Sequence, residues 1–196
     1  MYGINTEVGK TYTTQAFLKE VNGKIKENFA IKPVISGLVN SEYHLSDNYK
    51  LLQALGIQNP TLQEVLVLSC YLLKEPLSPD IASWYEGINI EFHKIIDFCK
   101  EWIEKTPQFG KIFIETAGGV CSPCSNHHTM VDISKALWEY NPYNILVTTP
   151  YLGAISHTIS ALNMLKFDLL IINKTEDDFV KSIKNHSPYS IDIIEL

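Results

Sequence analysis

The chain opens on a glycine-rich segment that ends in a lysine and a threonine, Gly3-Ile4-Asn5-Thr6-Glu7-Val8-Gly9-Lys10-Thr11. Glycines in such a segment let the backbone turn tightly, so that several N–H groups converge on phosphate oxygens. A helix that begins near the lysine adds the positive end of its dipole. The lysine then reaches the outer phosphates, and the threonine hydroxyl ligates Mg²⁺. The segment therefore predicts a nucleotide site that uses Lys10 and Thr11.

Details of this segment separate it from related loops and from a chance turn. The general P-loop has four residues between its first glycine and Gly-Lys-Thr, whereas five lie between Gly3 and Gly9. Partitioning ATPases carry a second lysine five residues before the loop lysine, but Asn5 holds that position here. A chance turn would not open an amphipathic segment, as this loop does. The predicted nucleotide contacts in the loop are Glu7, Val8, Gly9, Lys10, Thr11 and Tyr12.

Three more reactive side chains adjoin apolar runs. Lys32 lies at the end of a predicted strand, where a cation can face a phosphate. Glu115 directly follows an apolar strand and precedes two glycines, a setting poorly suited to a merely solvated acid. Asp47 has two interpretations, because Ser46-Asp47 could simply cap a helix. Carboxylates are hard oxygen ligands, so Asp47 and Glu115 could complete a Mg²⁺ shell with Thr11.

Composition sets the class of protein to which these groups belong. The 196 residues include 16 Lys and Arg against 22 Asp and Glu, a net charge of −6, so we expect no general attraction to nucleic acid or anionic lipid. The length of the chain and its composition, which is that of an ordinary globular protein, predict one domain over residues 1–196. We find no transmembrane helix or secretory signal. Four cysteines without framework spacing indicate a reducing cytoplasm.

Strands and helices alternate along the chain, which predicts the elements that position these groups. Short apolar runs at residues 29–36, 111–116, 145–149 and 168–173 suit strands buried on both faces. Residues 92–103 carry apolar side chains at helical spacing, and Ser78 can cap a helix that ends near Gly87. The pattern predicts an α/β fold of the P-loop NTPase type, with a parallel sheet flanked by helices. Ligands gather at the carboxyl ends of such strands.

The two chain ends differ from what a complete fold of this type would need. Only Met1 and Tyr2 precede Gly3, so we expect a truncated first strand. The chain ends at Ile194-Glu195-Leu196. A truncated first strand and a chain that ends here could together weaken ATP binding or folding.

Several segments, in the same order, resemble those of the dethiobiotin synthetase family. Thr6-Glu7-Val8-Gly9-Lys10-Thr11 resembles its phosphate loop, and the chain is similar to that family from Gly3 to about Lys184. Three segments depart from the family pattern, with Asp80 for His, Thr116 for Gly and Ser156 for Asn. The later matching segments are Lys32-Pro33-Val34-Ile35-Ser36-Gly37, Ser46-Asp47, Leu77-Ser78-Pro79, Glu115-Thr116-Ala117-Gly118-Gly119, Leu152-Gly153-Ala154-Ile155-Ser156-His157 and Asn173.

The resemblance implies a reaction and a set of roles. In the family, 7,8-diaminononanoate, CO₂ and ATP give dethiobiotin, ADP and phosphate. Lys32 would then serve catalysis together with Lys10, and Thr6 and Ser36 would bind the diamine or its carbamate. Further nucleotide contacts would come from Asp47, Glu115, Thr116, Ala117, Gly118 and Asn173, with Mg²⁺ on Thr11, Asp47 and Glu115. The substrate carboxylate would bind Gly153, Ala154, Ile155 and Ser156 of a neighbouring subunit, which implies a homodimer.

Rival interpretations remain open at this point. Amidase-type P-loop synthetases carry a downstream glutaminase domain, for which this chain has no room. A nucleotide-binding regulatory module or a catalytically degenerate relative is the alternative from a different class. Cys121, Cys124, His127 and His128 resemble a zinc cluster, but four ligands within eight residues are hard to place around one tetrahedral ion. We therefore expect an ordinary loop there.

Overall fold

Parallel strands form the centre of the molecule. The computed structural model describes residues 1–22, 28–174 and 176–196. Within these residues one four-stranded sheet has the order β1-β6-β7-β8, and β2-β5 and β3-β4 form two further parallel pairs. The strands are β1 (Tyr2–Gly3), β2 (Phe29–Ile31), β3 (Val34–Ile35), β4 (Tyr71–Leu72), β5 (Ile112–Ile114), β6 (Ile145–Thr148), β7 (Leu169–Ile172) and β8 (Asp192–Glu195).

Helices connect and cover these strands. They are α1 (Lys10–Asn22), α2 (Asp47–Ala54), α3 (Leu62–Leu66), α4 (Pro79–Glu86), α5 (Phe92–Lys105), α6 (Met130–Ala136), α7 (Ala154–Met164) and α8 (Asp177–His186). The predicted apolar face of α5 is confirmed, since Ile95, Ile96 and Cys99 are buried in the main core. The central strands β6 and β7 are buried on every residue. The predicted α/β architecture with a parallel sheet is therefore confirmed.

The run at residues 29–36 is two strands, and our prediction of a single strand there is wrong. β2 pairs with β5, whereas β3 pairs with β4. Pro33, which separates them, has no N–H to donate to a ladder. Its carbonyl instead accepts hydrogen bonds from the backbone of Cys70 and Tyr71, at 2.9 and 3.1 Å. The break leaves Lys32 at the end of β2, beside the carboxyl edge of the sheet.

The first strand is short. β1 pairs with β6 over Tyr2 and Gly3, and the Thr116 N–H, just after β5, donates to the Met1 carbonyl, just before β1, at 3.1 Å. A cavity of about 590 Å³ lies between β5 and the start of β6. β8 was not predicted, because its residues are mostly exposed and do not form an apolar run.

Helix α4 begins and ends where the sequence indicated, with one difference. Gly87 follows its last residue in the left-handed conformation, with φ +66°. Ser78 occupies the N-cap position, but its side chain makes no capping hydrogen bond. The predicted capping role of this hydroxyl is therefore wrong. Among the described residues, no helix is both long and apolar enough to span a bilayer.

Candidate active site

The glycine-rich loop connects β1 to α1 and is shaped by two residues with positive φ. Glu7 has φ +59° and Gly9 has φ +92°. Asn173, at the end of β7, donates from Nδ2 to the Val8 carbonyl at 2.8 Å. A Cβ added to Gly9 would lie 2.3 Å from the same Nδ2 atom. Gly9 is thus required both for the turn and for the close approach of Asn173, which supports the loop from behind.

Lys10 opens α1 and is held over the loop. Its side chain is buried, and Nζ donates to the Asn5 carbonyl at 2.9 Å. Burial, and after it the positive charge of Lys32, together lower the pKa of Lys10 to about 8. An anion in the loop would oppose both effects, because it stabilises the charged ammonium.

Lys32 lies between two carboxylates. Its Nζ is 2.5 Å from Asp47 Oδ2 and 3.1 Å from Glu115 Oε1. Burial lowers the pKa of Lys32, but the charges of Glu115 and Asp47 outweigh it, so the pKa lies above its ordinary value. Burial raises the pKa of Asp47, yet Lys32 outweighs this effect and holds it below its ordinary value. Lys32 is therefore a fixed positive charge rather than a proton donor or acceptor.

Two threonines of α1 orient Glu115, which is fully buried. Thr11 Oγ1 donates to Oε1 at 2.8 Å, and Thr14 Oγ1 donates to Oε2 at 3.1 Å. Thr14 was missed by the sequence analysis. Its spacing could have identified it, since residues three apart lie on the same face of a helix.

The oxygens of Thr11, Asp47 and Glu115 meet around Lys32. Thr11 Oγ1 donates to Glu115 Oε1, and Asp47 and Glu115 both accept from Lys32 Nζ. One hydroxyl and two carboxylates are the hard donors that Mg²⁺ prefers. The predicted ligand set therefore fits a magnesium ion. The predicted helix cap is confirmed, because Ser46 caps α2 by accepting from the Tyr49 N–H. Asp47 itself borders the cleft, and its role as a ligand stays a prediction.

These groups border a cleft of about 710 Å³. Most of the predicted site residues line it: Thr6, Glu7, Gly9, Lys10, Thr11, Tyr12, Lys32, Ser36, Asp47, Ala117 and Gly118. Val8, Glu115 and Asn173 lie behind its walls as buried residues. Thr116, predicted to touch nucleotide, is buried and its hydroxyl donates to the Met1 carbonyl at 3.3 Å.

The predicted carboxylate site at the start of α7 lies apart from this cleft. Gly153 precedes the helix with φ +98°. Leu152 is fully exposed and Ile155 is 39% exposed. Nearby, Tyr151 Oη lies 2.7 Å from His157 Nδ1. None of residues 153–156 belongs to the lining of the cleft that the described residues form.

The cysteine and histidine segment packs as a loop. Cys124 is buried and its thiol contacts the His128 carbonyl at 3.4 Å. The His128 ring stacks on Phe92, with centroids 4.0 Å apart, and its Nδ1 lies 3.1 Å from Ser125 Oγ. Cys121 is exposed. These contacts use the side chains for packing and turn formation.

The sequence resembles proteins of known function. It matches the family described as "AAA domain" over residues 1–191. It is 33% identical over 170 residues to the "ATP-dependent dethiobiotin synthetase BioD" of Phenylobacterium zucineum, covering 87% of this chain and 70% of that protein. The protein of the same name from Caulobacter vibrioides strain NA1000 is 34% identical over 164 residues, covering 84% and 71%. That of Legionella pneumophila strain Philadelphia 1 is 29% identical over 190 residues, covering 94% and 84%.

Proposed function

This chain belongs to the dethiobiotin synthetase family, and from this membership we propose that it is an ATP-dependent ligase that forms C–N bonds in biotin synthesis. Its substrates would be 7,8-diaminononanoate, CO₂ and ATP, and its products dethiobiotin, ADP and phosphate. The observation that carries the proposal is the position of Lys32. This charged side chain lies beside Asp47 and Glu115 and borders the same cleft as the phosphate loop.

The reaction has three steps. One amine of the diamine adds to CO₂ and loses a proton, which gives a carbamate. A carbamate oxygen then attacks the γ-phosphorus and ADP leaves. The second amine attacks the carbonyl carbon of the resulting mixed anhydride and loses a proton, and phosphate leaves with closure of the ring. The second step brings two anions together, the carbamate and ATP, so charge neutralisation and positioning are the main tasks of the protein.

The described side chains suit these tasks. Lys10 would hold the outer phosphates, and Lys32 would neutralise the carbamate and the γ-phosphate as they meet. Because Lys32 is buried and stays protonated, its charge acts in a low dielectric. Thr6 and Ser36, which line the cleft, would hydrogen-bond the diamine or its carbamate. By its match to the family, Asn173 would also contact the nucleotide; it lies under the loop, and its buried Oδ1 has no partner among the described residues.

Magnesium would be held by Thr11, Asp47 and Glu115. When bound there, it would supply neutralising charge to the phosphate oxygens. Further nucleotide contacts would come from Glu7, Val8 and Tyr12 of the loop region, and from the segment containing Thr116, Ala117 and Gly118.

We also propose that the protein works as a homodimer of single-domain chains in the cytoplasm. The start of α7 lies outside the cleft of its own chain and presents the exposed Leu152 and Ile155. Free N–H groups at a helix start can bind a carboxylate. A neighbouring chain could therefore receive the segment of Gly153, Ala154, Ile155 and Ser156 at its substrate carboxylate, although the Ala154 N–H itself donates to the Tyr151 carbonyl at 2.9 Å.

A phosphate-release assay tests the proposed reaction. Purified protein with Mg²⁺-ATP and bicarbonate should release phosphate only when 7,8-diaminononanoate is added, and dethiobiotin should form in equal amount. Phosphate release that ignores the diamine would favour a regulatory nucleotide hydrolase instead. Nucleotide binding without any turnover would indicate a degenerate relative.

A further inference from the structure

The cavity of about 590 Å³ lies in line with β1, between β5 and β6. β1 pairs with β6 on one side, and on the other side Gly3 forms a parallel bridge with Gly119, in the segment that follows β5. Neighbouring strands lie about 4.8 Å apart, so β5 and β6, which flank β1, are separated by the width of one strand. We call the gap between residues 111–114 and 143–145 the slot.

Backbone groups of both walls point into the slot. Successive residues of a strand turn their N–H and C=O groups to opposite sides. The Ile114 carbonyl accepts from the Met1 amino group at 2.9 Å, so Ile112, two residues earlier, faces the slot. On the other wall, the Val147 carbonyl accepts from the loop after β1 at 3.1 Å, so Ile145 faces the same way. An extended backbone in the slot could therefore form hydrogen bonds with both walls.

Apolar side chains cover both faces of the slot. Ile145 and Leu146 are successive residues of β6 and belong to two different core clusters, one on each face of the sheet. Phe17 of α1 packs with the cluster of Ile145, and Ile103 and Leu137 belong to the cluster of Leu146. All but Leu146 line the cavity. A strand that is covered on both faces in this way needs a continuous run of apolar residues.

A basic group closes the inner end of the slot. The Met1 amino group lines the cavity, and Met1 is buried. Burial lowers the pKa of this amino group to about 5, although the negative charge of Glu115 opposes the effect. A carboxylate beside the amino group would stabilise its charged form. The inner end therefore suits the C-terminal carboxylate of a segment that runs parallel to β5 and β6.

We propose that the slot binds the extended, apolar C-terminal segment of a partner protein as a parallel strand, with the terminal carboxylate against the Met1 amino group. Its backbone would bond to Ile112 on one wall and Ile145 on the other, which is recognition by strand addition. At about 3.3 Å per residue, the slot holds about three residues. A fatty acid could supply the carboxylate and the apolar chain, but it has no backbone groups for the two walls. The inference is independent of the proposed function.

Calorimetry with a synthetic peptide tests the proposal. The probe is Lys-Lys-Val-Ile-Val-Ile, acetylated at its N-terminus and free at its C-terminus, with the lysines outside the slot to keep it soluble. It should bind the full chain at a single site and raise the midpoint of thermal unfolding by several degrees at saturation. Amide hydrogen exchange at Ile112 and Ile145 should slow, because their N–H groups gain partners.

Matched ligands separate strand addition from simple burial of an apolar chain. Proline in place of the second valine of the peptide removes one N–H and should weaken binding about tenfold. A C-terminal amide in place of the carboxylate should also weaken it. Decanoate should bind more weakly than the first peptide, since it lacks the backbone groups that the walls require.

Ile103→Asp and Ile159→Asp form a matched pair of variants. Both side chains are half-buried and pack against the main core, but of the two only Ile103 lines the slot. A carboxylate at position 103 should lower peptide affinity at least about tenfold, because it enters the apolar face of the slot without a partner. Ile159→Asp should lose stability as well, yet keep its affinity for the peptide.

Three results would overturn the proposal. They are no binding of the peptide to folded wild-type protein, equal binding of the proline-containing peptide, and tighter binding of decanoate. Equal peptide affinity in Ile103→Asp and Ile159→Asp would also overturn it, since the peptide would then bind elsewhere. Phosphate release in the presence of the diamine is a separate measurement, so these results leave the proposed function untouched.

Discussion

At the residue scale, the candidate site combines two kinds of lysine. Lys10 is buried near Lys32 and has a lowered pKa, whereas Lys32 is buried between carboxylates and has a raised one. In the free protein Lys10 therefore loses its charge as the pH rises through about 8, whereas the raised pKa of Lys32 keeps that side chain charged before any ligand arrives. This difference leads to one prediction for Lys32 and two for Lys10.

Replacement of Lys32 by Gln should lower turnover by about 100- to 1,000-fold, because a preorganised charge on the reacting anions is lost. ATP binding, measured by calorimetry with Mg²⁺, should be largely kept, since the loop and Lys10 are unchanged. Lys50→Gln is the control, as Lys50 is an exposed cation 3.7 Å from Asp47. An equal loss of ATP binding and turnover in Lys32→Gln would contradict our assignment.

The lowered pKa of Lys10 predicts that nucleotide binding takes up protons. In EDTA near pH 8, Lys10 is partly deprotonated in the free protein, and ADP should draw a proton onto it. Affinity for ADP should fall as the pH rises from 7 to about 9. Calorimetry in buffers of different ionisation enthalpy measures this uptake.

Protein stability should show the opposite dependence at Lys10. The folded pKa of about 8 lies below the value of 10.5 for an unperturbed lysine, so the folded state binds fewer protons between these values. The destabilising contribution of Lys10 is therefore largest below pH 8 and is relieved as the pH rises.

For the ADP experiment described above, binding without proton uptake at pH 8 would show that Lys10 is already fully charged in the free protein.

At the scale of elements, the phosphate loop depends on packing as well as on its own residues. Asn173 at the end of β7 supports the loop from behind, and Thr11 and Thr14 on α1 orient Glu115 at the end of β5. The site is thus built where three strand ends meet a helix start. A change in the backbone of the phosphate loop should therefore disturb the candidate site more than the same change in an open turn elsewhere in the chain.

Gly9→Ala and Gly87→Ala test this difference as a matched pair. Both glycines have positive φ, but a Cβ on Gly87 meets no atom within 4 Å, whereas one on Gly9 would clash with Asn173. Gly87→Ala should lower the free energy of unfolding by about 1 kcal/mol and keep ATP affinity. Gly9→Ala should weaken ATP binding at least tenfold, since strain and the clash both displace the loop. Similar ATP affinities in the two variants would contradict this account of the loop.

At the scale of the whole molecule, the proposed dimer assigns the cleft and the start of α7 to different chains. A mixing experiment can distinguish this arrangement from one in which α7 serves its own cleft. Ser156→Glu would place a negative charge at the helix start and repel the substrate carboxylate. Lys32→Gln would disable the cleft itself.

We expect each variant alone to be inactive, and a refolded mixture to recover up to about a quarter of wild-type turnover. Half of the dimers in an equal mixture are heterodimers, and each would contain one intact pair of cleft and α7. Ultracentrifugation should show two chains per particle. A mixture that stays inactive while heterodimers form would show that α7 does not act across the interface.

Much of the fold and site was predicted from contiguous patterns. Hydrophobic runs located β5, β6 and β7, and helical spacing located the buried face of α5. The exceptions are informative. Pro33 divides an apolar run that is typical of a single strand, and the exposed β8 has no apolar pattern from which it could be predicted. Both outcomes depend on which neighbouring strand supplies hydrogen-bond partners.

The sequence by itself determined the chemistry of the phosphate loop, because adjacent residues supply the turn, the N–H groups, the lysine and the threonine. Only the tertiary structure decided which groups hold the reactive ones. Lys32 meets Glu115 across 83 positions, and Asn173 meets Val8 across 165. It also decided that the Ser78 side chain, at the N-cap position of α4, makes no capping hydrogen bond. Such contacts arise when separate elements pack together, and the spacing of residues within one segment does not indicate which other segment will pack against it.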